Sequence, residues 1–198
     1  MATRELYWNI DGHHWIYLFV AIAVAICVYG VYRRITLWRM GQPEKRWQDI
    51  WAGIKDVIVY GVGHKRILKE GFAGTMHFMI FWGFFFLWFA TFIVALQADL
   101  GLNIFKGALF LFVKLTANLF GLAAVIGIVL AFGRRYIYRS DRLDNKPDDA
   151  IVLALLFFIL VTGFLVQGAR MAVQANDPWA AWAFMGYIMI KPLKAVFH

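Results

Sequence analysis

Four nearly continuous apolar stretches dominate the chain: His14 to Tyr32, Gly74 to Ala98, Gly107 to Phe132 and Ala150 to Ala169. Each is close to the ~20 residues a helix needs to cross ~30 Å of hydrocarbon. A bilayer offers the backbone no partners, so such runs must satisfy their own hydrogen bonds as helices. The expected architecture is an all-α integral membrane protein, with four transmembrane helices in one domain over residues 1–198. Composition supports lipid as the main solvent, since 62% of residues are hydrophobic and only 16% charged. Before the first run Arg4 is the only basic residue, offset by Glu5 and Asp11, and no small-residue cleavage site follows. A retained helix is therefore expected in place of a cleaved signal peptide.

The formal charge of +8 raises the question of nucleic acid, and the distribution of the cations answers it. Arg33, Arg34, Arg39, Lys45, Arg46, Lys55, Lys65, Arg66 and Lys69 fall between the first two helices. Arg134, Arg135, Arg139, Arg142 and Lys146 fall between the third and fourth. The connection between helices two and three carries only Lys106. The positive-inside rule then sets both basic loops in the cytoplasm and the N-terminus outside, as for a multi-pass protein of the inner (cytoplasmic) membrane. Topology and anionic headgroups account for the charge, and nucleic acid is not needed. The lone Cys27 lies in an apolar run, which leaves no disulfide framework and no iron–sulfur or zinc motif.

Tyr7, Trp8, Trp15 and Tyr17 at one end of the first run, with Tyr29, Tyr32 and Trp38 at the other, suit two interfacial aromatic belts. In the first basic loop, Trp47, Ile50, Trp51, Ile54, Val57 and Ile58 recur at helical spacing. That pattern predicts an amphipathic helix over about 47–58, lying on the membrane surface or under a soluble partner. Ala117, Gly121 and Ala124 form a small-residue stripe suited to close helix packing or to a flat ligand. The run Asp144 to Asp149 reads as a helix start, with Pro147 and acids complementing the dipole. Asn176-Asp177-Pro178 reads as a chain break outside the membrane. The segment from Trp179 to His198, interrupted by Pro192 and two lysines, reads as interfacial rather than as a fifth span.

Ionisable groups at membrane depth are costly and mark candidate sites. His77 is the clearest, about one turn inside helix two with Ala73 and Gly74 on its face and Phe81, Phe84 and Trp88 continuing it. A haem held from a helix needs a neutral imidazole, room for a flat macrocycle and apolar walls, and these residues are compatible with all three. The alternative is a histidine hydrogen-bonded to a neighbouring helix. His13 and His14 stand at the start of helix one, about 100° apart around the helix, so at most one faces a single site. Taken alone they read as interfacial. His64, among Gly61, Gly63, Lys65 and Arg66, reads as solvated. Lys114 and Asn118 in helix three, with Gln167 and Arg170 in helix four, are candidates to pair with haem propionates or hold a quinone carbonyl. Lys114 alternatively snorkels to the interface.

Four separated segments, in order, carry a family likeness: ELYWNIDGHHWIY, GFAGTMHFMIFWGFFFLWFAT from Gly71, GRRYIYRSDRLDNKPDDA from Gly133, and LVTGFLVQGAR ending at Arg170. Together they resemble membrane cytochromes b related to the nitrate reductase gamma subunit and to the membrane part of heterodisulfide reductase-like, quinone-linked oxidoreductases. The resemblance implies a five-helix, N-outside bundle with two b haems. These haems pass electrons between menaquinone or ubiquinone and a cytoplasmic iron–sulfur partner. His77 matches the helix-two ligand of the haem nearer the cytoplasm. The relative's second helix-two histidine falls at Leu87 here, so that ligand does not carry over, and His13 or His14 is the expected replacement. The fifth helix, which in the family supplies histidines to both haems, is expected near or beyond His198. The alternatives to this electron-transfer reading are a single-haem anchor and a non-redox membrane scaffold.

Overall fold

The computed structural model describes residues 2–6, 12, 14–42, 49–138, 143–144, 146–174 and 177–197, with the side chains of 191 and 193–197 left undescribed. The chain divides into two compact units, Glu5–Ile58 and the pairing of Met1–Arg4 with Val59–His198. Among the described residues four helices are long and apolar enough to cross a membrane, and the fold is all-α.

In the first unit, α1 runs Trp15–Trp38, about 36 Å at 1.5 Å per residue. Gly12 precedes it at φ 76°, a left-handed turn, and its carbonyl accepts from the Trp15 amide at 3.1 Å. Near the other end Thr36 returns its hydroxyl to the Tyr32 carbonyl at 2.8 Å, which satisfies a polar group within an apolar helix. Then comes α2, Ile50–Asp56, continued by a π-helical segment Val57–Val62. A helix is thus present within the expected stretch from Ile50, while Trp47 and Gln48 lie outside the described residues.

The second unit is built on the α3–α4 hairpin, with α3 at Gly71–Leu100 and α4 at Gly107–Phe132. Gly101 ends α3 in the left-handed conformation that a helix stop favours. The Gln97 side chain accepts from the Phe105 amide at 2.6 Å and shapes the turn. Lipid tails are as apolar as leucine, so helices here associate by close packing. Gly83 and Gly127 make that approach possible. A Cβ on Gly83 would stand 2.5 Å from the Ala124 Cβ and 2.7 Å from the Phe120 carbonyl oxygen. On Gly127 it would meet the Ile80 side chain at 2.8 Å. The core gathers Ala124, Ile128 and Leu160, with Ile80, Phe84 and Leu87 against them.

Helix α4 continues as a π-helical segment, Gly133–Ile137, before α5 at Pro147–Val173. Asp149 caps α5 by accepting from the Lys146 amide at 3.3 Å, and it pairs with Arg135 at 3.1 Å. The acids expected only to start a helix therefore also tie α5 to the end of α4. After α5 the segment expected to be interfacial is largely helical. A short 3₁₀ turn, Ala180–Ala183, leads into α6, Phe184–Phe197, which packs on α5 and α4. Pro192 sits inside α6. Gly186 permits the contact, since a Cβ there would reach the Met171 sulfur at 2.8 Å and the Gln167 Cγ at 2.9 Å. The apolar stretch of this helix, Ala180–Ile190, is shorter than a membrane span.

Candidate functional site

Chemistry-bearing side chains of the second unit gather at its two ends. At the end carrying the basic loops, His77 lies in the second turn of α3. The loop before α3 folds back onto it because Gly74 has no side chain: a Cβ there would run into the Ile67 carbonyl oxygen. This fold brings in His64, which sequence reading leaves in solvent. It is only 2% exposed, and its backbone takes φ 52°, uncommon for a non-glycine residue. Its Nδ1 lies 2.8 Å from the Val62 carbonyl oxygen. A carbonyl only accepts, so Nδ1 carries the proton in that bond. The His64 ring stands 5.2 Å from the His77 ring and 4.6 Å from that of Phe81, centroid to centroid. Apolar contacts with Phe81 and Phe78 bury the loop histidine where charge patterning alone suggested water.

An aromatic wall continues along α3. Trp82 packs against Phe78, Phe81, Phe85 and Phe86, and Phe86 stacks on Phe120 of α4 at 3.9 Å. The Trp82 indole nitrogen is buried and has no hydrogen-bond partner. Among the described residues no three His, Cys, Asp or Glu side chains are grouped to hold a metal ion. A donor set of imidazoles beside apolar aromatic walls suits iron that arrives with its own four equatorial nitrogens. A haem fits that description, and it needs only axial ligands from the chain.

At the opposite end, α4, α5 and the approach to α6 converge on a charged cluster. Lys114, in the second turn of α4 and 8% exposed, donates from Nζ to the Asp177 Oδ2 at 2.6 Å. It therefore has a fixed partner in the turn after α5. Asn118, 1% exposed, donates to the Lys114 carbonyl at 3.0 Å and accepts from the Met185 amide of α6 at 3.2 Å. Arg170 donates to the Gln174 side-chain oxygen at 2.6 Å. The Gln167 side-chain oxygen is buried without a partner.

Two residues that sequence reading passed over complete this cluster. Arg4 arrives because the Gly107 amide donates to the Ala2 carbonyl at 2.7 Å, which ties the N-terminal segment to the start of α4. Its guanidinium lies 5.7 Å from the Phe105 ring centroid, and its Nε is buried and unpartnered. Burial first, then the positive charge of Arg170, lowers its pKa to about 10, against the opposing pull of Asp177. Asp177, read from sequence only as part of a turn, also accepts from the Trp179 amide at 2.8 Å. Burial pushes its carboxyl up, but the bonds from Lys114 and Trp179 and the charges of Lys114 and Arg170 outweigh that and hold it below the usual range.

The structure thus brings Lys114 and Asn118 into contact and sets Gln167 and Arg170 at the same end of the bundle. His77 stands at the other end. His14 directly precedes α1, in the other compact unit. His13 lies outside the described residues.

Comparison with known proteins gives relatives at low identity. The EtfAB:quinone oxidoreductase of Syntrophomonas wolfei is 28% identical over 172 residues, covering 84% of this chain and 24% of that protein. The probable iron-sulfur-binding oxidoreductase FadF of Bacillus subtilis is 28% identical over 153 residues, covering 76% of this chain and 22% of that protein. One subunit of the dihydromethanophenazine:CoB–CoM heterodisulfide reductase of Methanosarcina barkeri is 24% identical over 215 residues, covering 92% of this chain and 79% of that subunit. The chain therefore spans about a quarter of the first two proteins and most of the third. No family model matches, and no solved structure matches. The likeness supports the heterodisulfide reductase side of the resemblance drawn from sequence, and the nitrate reductase side is left to proposal. This is a multi-pass, all-α membrane chain similar to oxidoreductases and oxidoreductase subunits, which supports a redox role in general.

Proposed function

We propose that this chain is a membrane cytochrome b module that moves electrons between quinone and an iron–sulfur partner of the heterodisulfide reductase type. One observation carries the reading: a histidine site walled by aromatics and a cationic, hydrogen-bonding site stand at opposite ends of one bundle. A path between them needs relays, and two b haems would supply one-electron carriers. His77 would hold one of them, and His13 or His14, the ligand expected from sequence, is proposed for the second. The chain's own contribution is axial ligation, orientation and an apolar wall that tunes the haem's surroundings.

Menaquinone or ubiquinone binds at the charged cluster. Lys114 and Arg170 are positive donors for a carbonyl or phenolate oxygen, and Gln167 adds an amide whose oxygen is not otherwise bonded. Asn118 holds the site together by joining α4 to α6. The basic loops face the cytoplasm of a cell whose inner membrane holds the chain, N-terminus outside, and they receive the soluble iron–sulfur protein.

The test is an optical spectrum of the purified, dithionite-reduced protein, with His77→Ala alongside. Bands of b type in the parent and their loss in the variant are expected. Intact protein without such bands overturns the haem reading. Bands that survive His77→Ala overturn the ligand assignment, and an intact, haem-free assembly favours a scaffold.

A further inference from the structure

A quinone exchanges protons whenever it exchanges both of its electrons, and a site near the middle of a bundle end must connect those protons to water. Lys114 by itself is poorly placed for this, because its side chain is 6% exposed while that of Asp177 is 20% exposed. The two oxygens of Asp177 do different work. Oδ1 accepts from the Trp179 amide at 2.8 Å, which fixes the carboxylate at the turn after α5. Oδ2 accepts from Lys114 Nζ at 2.6 Å, a short charge-assisted bond along which a proton can pass. The carboxylate therefore lies between the buried ammonium and the wetter side of the cluster.

The geometry points to Asp177 as the proton port of the quinone site, relaying protons between Lys114 and water. This inference rests on the quinone reading above. In quinol oxidation, each of the two O–H bonds breaks as one electron leaves to a one-electron acceptor of the b-haem class. Lys114 Nζ first passes a proton to Asp177 Oδ2, leaving an amine and a carboxylic acid, and the amine lone pair then takes up the quinol proton, which restores the ammonium. Asp177 then releases that proton to water, and the cycle repeats for the second electron. Quinone reduction runs the same steps backwards. The charged groups facing Asp177 are Lys114 from α4, Arg170 from α5 and Arg4 from the N-terminal segment. All are cations, and they keep the carboxylate ionised, so a relayed proton is held only briefly and is given up readily to water. Asp177 acts through Lys114, so it is a positioning and relay residue rather than one that touches quinone.

The experiment follows quinol-driven reduction of the b-type absorbance by stopped flow across pH, in proteoliposomes holding the full protein. Binding of a non-reducible quinone analogue is measured in parallel. The parent rate is expected to fall on the acid side, where Asp177 becomes protonated and cannot accept. Asp177→Asn is expected to slow the reaction on the order of a hundredfold, the scale of a lost proton-transfer group, and to abolish that acid limb while the analogue still binds. Asp177→Glu is expected to recover much of the rate. An unchanged rate and pH profile in Asp177→Asn, with the analogue bound, overturns the relay. If Asp177→Asn does not fold, a solvent deuterium isotope effect of unity in the parent, with Asp177→Glu indistinguishable from it at every pH, overturns it instead. Failure of the analogue to bind the parent protein overturns the quinone reading itself and is seen separately.

Discussion

Replacing Asn118 with leucine should loosen the join between α4 and α6, and the two hydrogen bonds of the amide set how much. Its Nδ2 donates to the Lys114 carbonyl, one turn earlier in the same helix. That carbonyl is also the ordinary acceptor for the Asn118 backbone amide, so losing the side-chain donor leaves no orphan. The Oδ1 bond is different. It serves the Met185 amide in the first turn of α6, where the helix itself offers no full i−4 partner. Leaving a buried donor unsatisfied costs about 1–3 kcal/mol in soluble proteins. Side-chain hydrogen bonds inside membranes average about 0.6 kcal/mol with a maximum near 1.7. Leucine has as many side-chain heavy atoms as asparagine and is bulkier, so no cavity opens, and the expected loss is at least about 1 kcal/mol, set by the amide of Met185 with any crowding added to it. Reversible unfolding in mixed micelles by titration with sodium dodecyl sulfate measures it. Because α6 positions Gly186 against Gln167, analogue binding at the cluster should weaken in the same variant. A leucine variant as stable as the parent, with unchanged binding, would show that the Met185 amide finds another partner and would refute the reasoning.

Other outcomes follow from close contacts and charges. Gly83→Ala should destabilise by about 1–3 kcal/mol, the usual range for overpacking, because its new methyl meets Ala124 and a backbone oxygen. Gly133→Ala, with nothing within 4 Å of its Cβ, is the matched control and should be neutral or slightly stabilising in the same unfolding titration. His64→Ala removes the ring packed on His77 and should weaken haem retention about tenfold, the lower range for a group supporting a metal ligand. Haem per protein after gel filtration reads this, and full retention with an unchanged spectrum counts against the pairing. For Asp177 the native carboxyl is held below its unfolded value. Its contribution to stability is therefore complete above the unfolded carboxylate pKa and is lost as pH falls through the lower, native one. Thermal melts of the parent and Asp177→Asn should converge across that acid window and separate above it. Melts that stay equally far apart at every pH refute this.

Much of the architecture was readable along the chain because its rules are local. A helix in lipid must be long and apolar, and the four runs announced themselves by length alone, falling short only at their ends. The runs starting at Gly74 and Ala150 begin earlier in the structure, at Gly71 and Pro147, because cap and turn residues extend a helix beyond its apolar part. His77, Lys114 and Asn118 stood out because a polar side chain within such a run has few innocent explanations. The helix after Asp177 was not legible for a related reason: Pro192 and the lysines reduce apolarity without preventing a helix, and the asparagine and glycine that seat α6 act across space.

His64, Asp177 and Arg4 were missed for a different physical reason, and it bears on how this bundle builds its sites. Each lies in or beside a connection, where a charged or imidazole side chain next to water needs no partner and leaves no pattern in sequence. Each becomes part of a site only because the chain turns back: through Gly74 for His64, through the Trp179 amide for Asp177, and through the Ala2–Gly107 bond for Arg4. The spans contribute the group that is costly to bury, and the connections contribute the group that makes burial tolerable, as Asp177 does for Lys114. A connection also keeps one side near water, which a span cannot do at the same depth. In the proposed quinone site, that division would give the carboxylate on the turn, rather than the lysine in the helix, the access to water that proton exchange requires.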